Sequence, residues 1–202
     1  MIMAILRSGI LSVALLAVGL AGCEERTATT TATPGTTTQP HAAAGFGDLH
    51  KAVAVMHAAG DQQITGTVMF TEAEEGVRIA ADIRGLEPNS VHAFHIHEFG
   101  DCTSEDFSSA GGHYNPWGAT HGGPDTPQDK HHAGDLGNIE ANAEGVALKE
   151  LVMEHITIAG QNPILGRAVI LHAGQDDLKS DPAGNAGGRI ACGVIGIAQA
   201  GQ

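Results

Sequence analysis

Val77-Arg78-Ile79-Ala80-Ala81-Asp82-Ile83-Arg84 alternates along its whole length. Val77, Ile79, Ala81 and Ile83 fall on one side, and Arg78, Ala80, Asp82 and Arg84 on the other. Successive side chains of a strand point to opposite faces, so this is a half-buried β-strand with one apolar face. Ile64, Gly66, Val68 and Phe70 repeat the pattern, and similar short runs occupy 52–56, 91–97, 146–152, 167–172 and 190–197. Turn clusters separate several of them: Glu72 to Gly76, Leu86-Glu87-Pro88-Asn89 and Ala143-Glu144-Gly145. No amphipathic helix of ten residues stands out. Seven or eight short strands in about 150 residues predict an all-β, antiparallel sandwich or barrel.

Composition agrees. The chain has 202 residues, room for one ordinary domain with appendages. Glycine is abundant at 28 residues while aromatics are only 3%, a balance that suits a turn-rich β protein. The formal charge of −13 leaves no basic footprint for phosphates, so nucleic acid is excluded as a partner. Twelve histidines are far more than the rest of the composition suggests.

The N-terminus reads as an address. Residues 1–22 have a basic start at Arg7 and an apolar run, Ile10 to Leu20, that is shorter than the ~20 residues a membrane span needs. The run ends in Leu20-Ala21-Gly22-Cys23, which looks like the lipobox of bacterial lipoproteins, with Cys23 acylated as the mature N-terminus. Cleavage there leaves nine Lys and Arg against 23 Asp and Glu, a charge of −14. Residues 23–48 then form a lipidated cysteine and a disordered tether, with threonine at eight of the twelve positions from Thr27 to Thr38. The folded domain is expected over 49–202.

Two stretches break the strand rhythm: the Gly- and His-rich 98–135 and the polar 173–189. Loops this long are uncommon unless they are functional or held by something. His95 and His97, at i and i+2 of a predicted strand, project from one face and can meet one ion, while Phe94 and Ile96 point into the core. His113, His121, His132 and Asp135 follow in the long loop, and His172 ends a later strand. Imidazole suits zinc and copper, and carboxylate is compatible with zinc. Seven such ligands exceed one four-coordinate site. Two adjacent metals sharing a ligand account for all seven.

Five segments carry a resemblance. His95-Ile96-His97-Glu98-Phe99-Gly100-Asp101, Gly111-Gly112-His113-Tyr114-Asn115-Pro116, His121-Gly122-Gly123-Pro124, His132-Ala133-Gly134-Asp135-Leu136-Gly137-Asn138 and Gly184 to Gly196 stand in this order. Together they resemble the signatures of the copper/zinc superoxide dismutases, over about residues 50–199. The resemblance implies a Greek-key, immunoglobulin-like β sandwich or flattened barrel of about eight antiparallel strands, with two long functional loops. It implies one copper and one zinc ion per subunit. Copper would be bound by His95, His97, His113 and His172, and zinc by His113, His121, His132 and Asp135. His113 would be shared by both. Asp176 would hydrogen-bond the free nitrogens of His95 and His121, fixing ring orientation. Arg189 would sit beside the copper and focus positive potential on a small anion despite the acidic surface.

The implied reaction is dismutation of superoxide to dioxygen and hydrogen peroxide, with copper changing redox state, His113 and water supplying protons, and Arg189 placing the substrate. Catalytic roles thus fall to His113 and Arg189. A copper-binding or copper-delivery lipoprotein on the same fold is the alternative, and a domain keeping only zinc is a third possibility. With Cys23 lipidated, Cys102 and Cys192 have one possible intramolecular pairing, and an exported compartment permits it. His92 matches a histidine of structural use, and His41, His50, His57 and His155 carry no assignment. Asp177 and His131 compete with Asp176 and His132 for their places. Gly193 to Ile197 resembles the contact strand of dimeric members, which makes a homodimer an expectation. The expected location is the cell envelope, lipid-anchored on the periplasmic side of a bacterial membrane or at the cell surface.

Overall fold

The computed structural model describes residues 49–199. The expected signal peptide 1–22 and the whole 23–48 tether with Cys23 lie, like 200–202, outside the described residues.

Eight strands form: β1 (Lys51–Ala58), β2 (Thr65–Glu72), β3 (Val77–Arg84), β4 (Val91–His97), β5 (Asp135–Glu140), β6 (Val146–Met153), β7 (Ala168–His172) and β8 (Arg189–Ile197). Every pairing is antiparallel, in the order β5-β4-β7-β8-β1-β2-β3-β6. Consecutive strands β3 and β4 are not neighbours, nor are β6 and β7, so the chain crosses the barrel twice in Greek-key fashion. The open seam lies between β5 and β6, where Lys149 Nζ donates to the Asn138 carbonyl at 2.8 Å. The result is a nearly closed, flattened barrel. Among the described residues helix is limited to two single turns, Ser108–Ala110 and Gln128–Lys130.

The alternation of β3 is realised as read. Val77, Ile79, Ala81 and Ile83 are buried, and Arg78 and Arg84 are exposed. Their inner faces pack with Phe70, Phe94, Ile96, Leu136, Ile139 and Leu171 in one core. The tight turn into β3 needs Gly76: its φ is +80°, and a Cβ there would strike the Met153 carbonyl.

One strand was not anticipated. β5 begins at Asp135, inside what the sequence presents as loop, so the first loop runs over 98–134. Gly137, at φ +75°, interrupts period two, and the β4–β5 register shifts between Ala93 and His95. A bulge of this kind hides alternation, because it moves the following side chains to the other face.

The two loops cover the outer face of the barrel at β4 and β7. A small second core of Phe107, Ala110, Ala168, Ile170 and Cys192 lies beneath the first loop. There Cys102 and Cys192 form the expected disulfide, with Cα atoms 5.9 Å apart, tying that loop to β8.

Candidate metal centre

On β4 the inward residues are Phe94 and Ile96, and the outward ones are His95 and His97. Both histidines are nonetheless fully buried, because the loops roof them. His172 closes β7 beside them, and His113 enters from the first loop through a backbone bridge opposite His97. Two sets of ligand atoms result, each lying within 4.8 Å of one another: His95, His97, His113 and His172, and then His113, His121, His132 and Asp135. All seven predicted ligands are brought together, and His113 belongs to both sets.

Hydrogen bonds orient the rings of the first set through one nitrogen each. In the first set His97 Nδ1 donates to the Gly111 carbonyl at 3.0 Å and His172 Nδ1 to the Gly187 carbonyl at 3.3 Å. Their Nε2 atoms then face each other at 3.3 Å. His95 donates from Nε2 to Asp176 at 2.7 Å. In the second set Asp135 Oδ1 lies 2.8, 3.1 and 3.2 Å from Nδ1 of His113, His121 and His132. Asp135 Oδ2 accepts the backbone N–H groups of Gly122 and His132.

The fit to metal ions can be tested on these atoms. His95 Nδ1, His113 Nε2 and His121 Nδ1 are buried without any hydrogen-bond partner. Such orphans are costly unless something accepts their lone pairs. A tetrahedral zinc with bonds of about 2.0–2.1 Å has ligand–ligand edges of about 3.3 Å. The separations around Asp135 lie close to that. Four imidazoles suit copper. The donor sets therefore fit both ions.

A profile of the family described as copper/zinc superoxide dismutase (SODC) matches residues 64–195. This chain belongs to the copper/zinc superoxide dismutase family. Superoxide dismutase [Cu-Zn] of Humicola lutea is 47% identical over 156 residues, covering 73% of this chain and 99% of that protein. Extracellular superoxide dismutase [Cu-Zn] of Brugia pahangi is 42% identical, covering 72% of this chain and 75% of that one. The crystal structure of the clock protein EA4 is similar with a TM-score of 0.68 at 40% identity, covering 76% of this chain and 98% of that one. Membership of the copper/zinc superoxide dismutase family implies one copper and one zinc ion.

The electrostatics of the dismutase centre differ between its halves. Burial, reinforced by neighbouring imidazoles and Arg189, holds His172 down at about 3 and His97 well below its usual range. Burial also lowers His113 to about 4, although Asp135 opposes it. At His121 burial works the same way but is outweighed by Asp135 and Asp176, which raise it to about 9. Burial would raise both carboxyls, yet bonds from the surrounding imidazoles hold Asp135 and Asp176 well below the carboxylate range.

Asp176 lies between His95 Nε2 and His121 Nε2, at 2.7 and 2.8 Å. Asp177 is occupied elsewhere, accepting from Ser180 and Asn185. His131 turns away from the cluster, its Nδ1 donating to the Pro127 carbonyl at 3.2 Å. His92 braces the first set from outside, donating from Nδ1 to the His172 carbonyl at 2.8 Å. Arg189 donates to the carbonyls of Phe107 and Gly111, at 2.5 and 2.6 Å. Gly111 also accepts from His97, so one carbonyl fixes the guanidinium and a ligand ring together.

Four contributors escaped the sequence reading. Asn138 exchanges two hydrogen bonds with the Asp176 backbone, at 2.7 and 2.9 Å. Gly184 makes room for that carboxylate: a Cβ there would overlap Asp176 Oδ1 and stand 2.7 Å from His121 Nε2. Asp181 Oδ1 accepts the His121 backbone N–H at 2.8 Å. The fourth is Arg167, at the entry to β7. Asn138 and Gly184 lie inside the quoted motifs, but no periodicity assigns either a task.

Proposed function

We propose that this protein dismutates superoxide, converting two superoxide ions and two protons to dioxygen and hydrogen peroxide. The observation that carries this reading is the pair of ligand sets sharing one imidazole, with His113 Nε2 orphaned on one side and Nδ1 on Asp135 on the other. In this reading His95, His97, His113 and His172 hold copper, and His113, His121, His132 and Asp135 hold zinc. Copper, when bound, supplies the one-electron exchange with substrate.

The chain's own residues do the rest. Arg189 attracts the anion and orients it, its guanidinium already fixed by two carbonyls and spending nothing on ordering. His113 Nε2 is the atom at which a proton is held and passed on. Asp135 keeps the ring turned so that Nε2 faces the substrate side. Asp176 fixes the opposite nitrogens of His95 and His121, which locks one ligand of each set against the other. The Cys102–Cys192 disulfide holds the Phe107–Gly111 segment, and with it Arg189, beside the ligands.

The decisive test is superoxide turnover by the purified chain loaded with copper and zinc, beside its metal-free and zinc-only forms. Turnover that requires copper is expected. Its absence in a disulfide-bonded sample holding both ions overturns the dismutase reading in favour of copper handling. His172→Ala is expected to abolish turnover, and survival of turnover in that variant overturns the copper assignment.

We further infer a lipid-anchored, exported protein of bacterial lipoprotein type on the periplasmic or outer side of the envelope. The disulfide and the extracellular relative support export, and the Leu20-Ala21-Gly22-Cys23 tetrad supports acylation of Cys23. Metabolic palmitate labelling that persists in Cys23→Ala would overturn the anchor. A homodimer is favoured by an apolar outer patch. Val55 on β1 and Val194 on β8 are both about half exposed, and Val194 adjoins the Phe99-Gly100 turn. Val194→Asp is expected to give monomers by light scattering; an unchanged mass would remove this face from consideration.

A further inference from the structure

We propose that Arg167 is a positioning residue for the four-imidazole set: it locks the segments that follow His97 and His113 onto the strand that carries His172. The proposal deepens, and rests on, the reading of that set as the copper site.

The backbone ties between these segments are incomplete. β4 and the first loop are joined by Glu98 N to Gly112 O and Phe99 N to Ala110 O, both 2.9 Å, and by Tyr114 N to Ile96 O at 2.9 Å. These bonds fix His113 against His97. β4 is joined to β7 by a ladder whose last rung is His97 opposite Ala168. Glu98, one residue beyond, leaves the ladder for the long loop. The His113 segment has no rung to β7 at all among the described residues. Yet His172, the fourth ligand of the set, is carried by β7.

Arg167 immediately precedes β7 and closes both gaps with one side chain. Nη1 donates to the Glu98 carbonyl at 2.7 Å, which extends the β4–β7 tie one residue past its last rung. The guanidinium carbon stands 3.4 Å from the centre of the buried Tyr114 ring, the residue after His113. Nε donates to the Pro163 carbonyl at 2.6 Å, which fixes the planar head in place. The Arg167 carbonyl accepts Ile195 N–H at 2.8 Å, so its root is anchored on β8. A flat, permanently charged group with several donors can stack and hydrogen-bond at once, and a lysine cannot. None of the three contacts reaches a zinc-side residue other than His113's neighbour. Arg167 therefore governs how His97 and His113 approach His172, and leaves His121, His132 and Asp135 to other supports.

The test uses the full chain loaded with both ions. Its readouts are the Cu(II) electron paramagnetic resonance and visible spectra, copper retention against a chelator, and zinc retention measured in parallel. Arg167→Ala is expected to shift the copper hyperfine pattern and to weaken copper retention about tenfold, the low end of the cost of losing a support behind ligands, with zinc, which shares only His113 with that set, weakened less. Arg167→Lys, which keeps the charge over Tyr114 but loses the planar fork, is expected to fall between. Parent-like copper spectra and retention in Arg167→Ala, whatever its melting temperature, would reduce the residue to ordinary packing and overturn the proposal. If the alanine variant fails to fold, Arg167→Lys decides on the same spectra. A parent chain that gives no copper spectrum overturns instead the copper reading beneath it, an outcome visible before any variant is made.

Discussion

The two halves of the centre meet at His113 but are held in different ways. The four-imidazole half stands largely on strands: His95 and His97 on β4, His172 at the end of β7, and two rings oriented by the carbonyls of Gly111 and Gly187. The half around Asp135 is built mostly from loop, and it is oriented by carboxylates, Asp135 within it and Asp176 and Asp181 behind it. In the first half burial holds His97, His113 and His172 toward their neutral forms. In the second, carboxylates held well below their usual range favour the protonated form of His121. Rigid strands place most of their ligands with packing and neutral carbonyls, whereas the loop-built half relies more on charged hydrogen bonds, which are shorter and stronger.

That contrast predicts responses to pH of different size for the two metals. His121, raised to about 9, must lose its proton when zinc enters. Zinc affinity should therefore fall about tenfold per pH unit below 9 from this group alone, or about a thousandfold from pH 8 to 5. In the other half His97 lies well below its usual value, with His113 at about 4 and His172 at about 3. Protons compete for these three only in acid, so these three ligands should add little pH dependence to copper affinity over the same range. Competition titrations with chelators of known pH behaviour measure both slopes, and equal slopes would erase the distinction. In the metal-free chain the two halves should act on the melting temperature with opposite signs. The raised pKa of His121 lends stability that is complete below about 6.5 and is lost as pH rises through about 9. The lowered values of His113 and His172 lend stability that is complete above about 6.5 and is lost as pH falls toward 4 and 3.

A second prediction attacks the link between the halves. Gly184 sits at φ +62°, and a methyl there collides with Asp176 and crowds His121. Gly184→Ala should displace the carboxylate that holds one ligand of each set and weaken both metals about 10–100-fold. Metal content after dialysis against graded chelator measures this. Loss of zinc alone would show that His95 is held well enough by β4 without Asp176.

The same contrast explains what was legible in the sequence. Strand placement of ligands leaves a trace: His95 and His97 at i and i+2, between the inward Phe94 and Ile96, announce themselves by period two. β3 is readable for the same reason. β5 is not, because Gly137 and the bulge opposite it break the alternation just where the Asp135 half begins. The loop ligands were found by their motifs, and the supports behind them mostly lacked even that. Asp181 and Arg167 act through contacts that span as many as 60 and 69 residues of chain, and long-range pairing has no local pattern to betray it. Gly184 is needed for the space it leaves empty, a property no side-chain pattern encodes.

Asp181 offers the finest probe of the loop-built half. Its carboxylate accepts the His121 N–H at 2.8 Å and stands 3.9 Å from His132 Nε2, with its side chain 59% exposed. At that exposure the electrostatic contact with His132 contributes little, within the ~0–1 kcal/mol of surface pairs. The backbone bond is the larger part, because an acceptor lost there leaves an amide beside a ligand unpaired. Asp181→Ala should weaken zinc by about 1 kcal/mol, roughly fivefold, and leave copper unchanged. Asp181→Asn keeps an oxygen for the amide and removes only the charge, so it should retain zinc almost as the parent does. Zinc release measured in low and high salt separates the two contributions. If asparagine proves as damaging as alanine, charge rather than the hydrogen bond orders this loop, and the carboxylates behind the zinc half act by field more than by geometry.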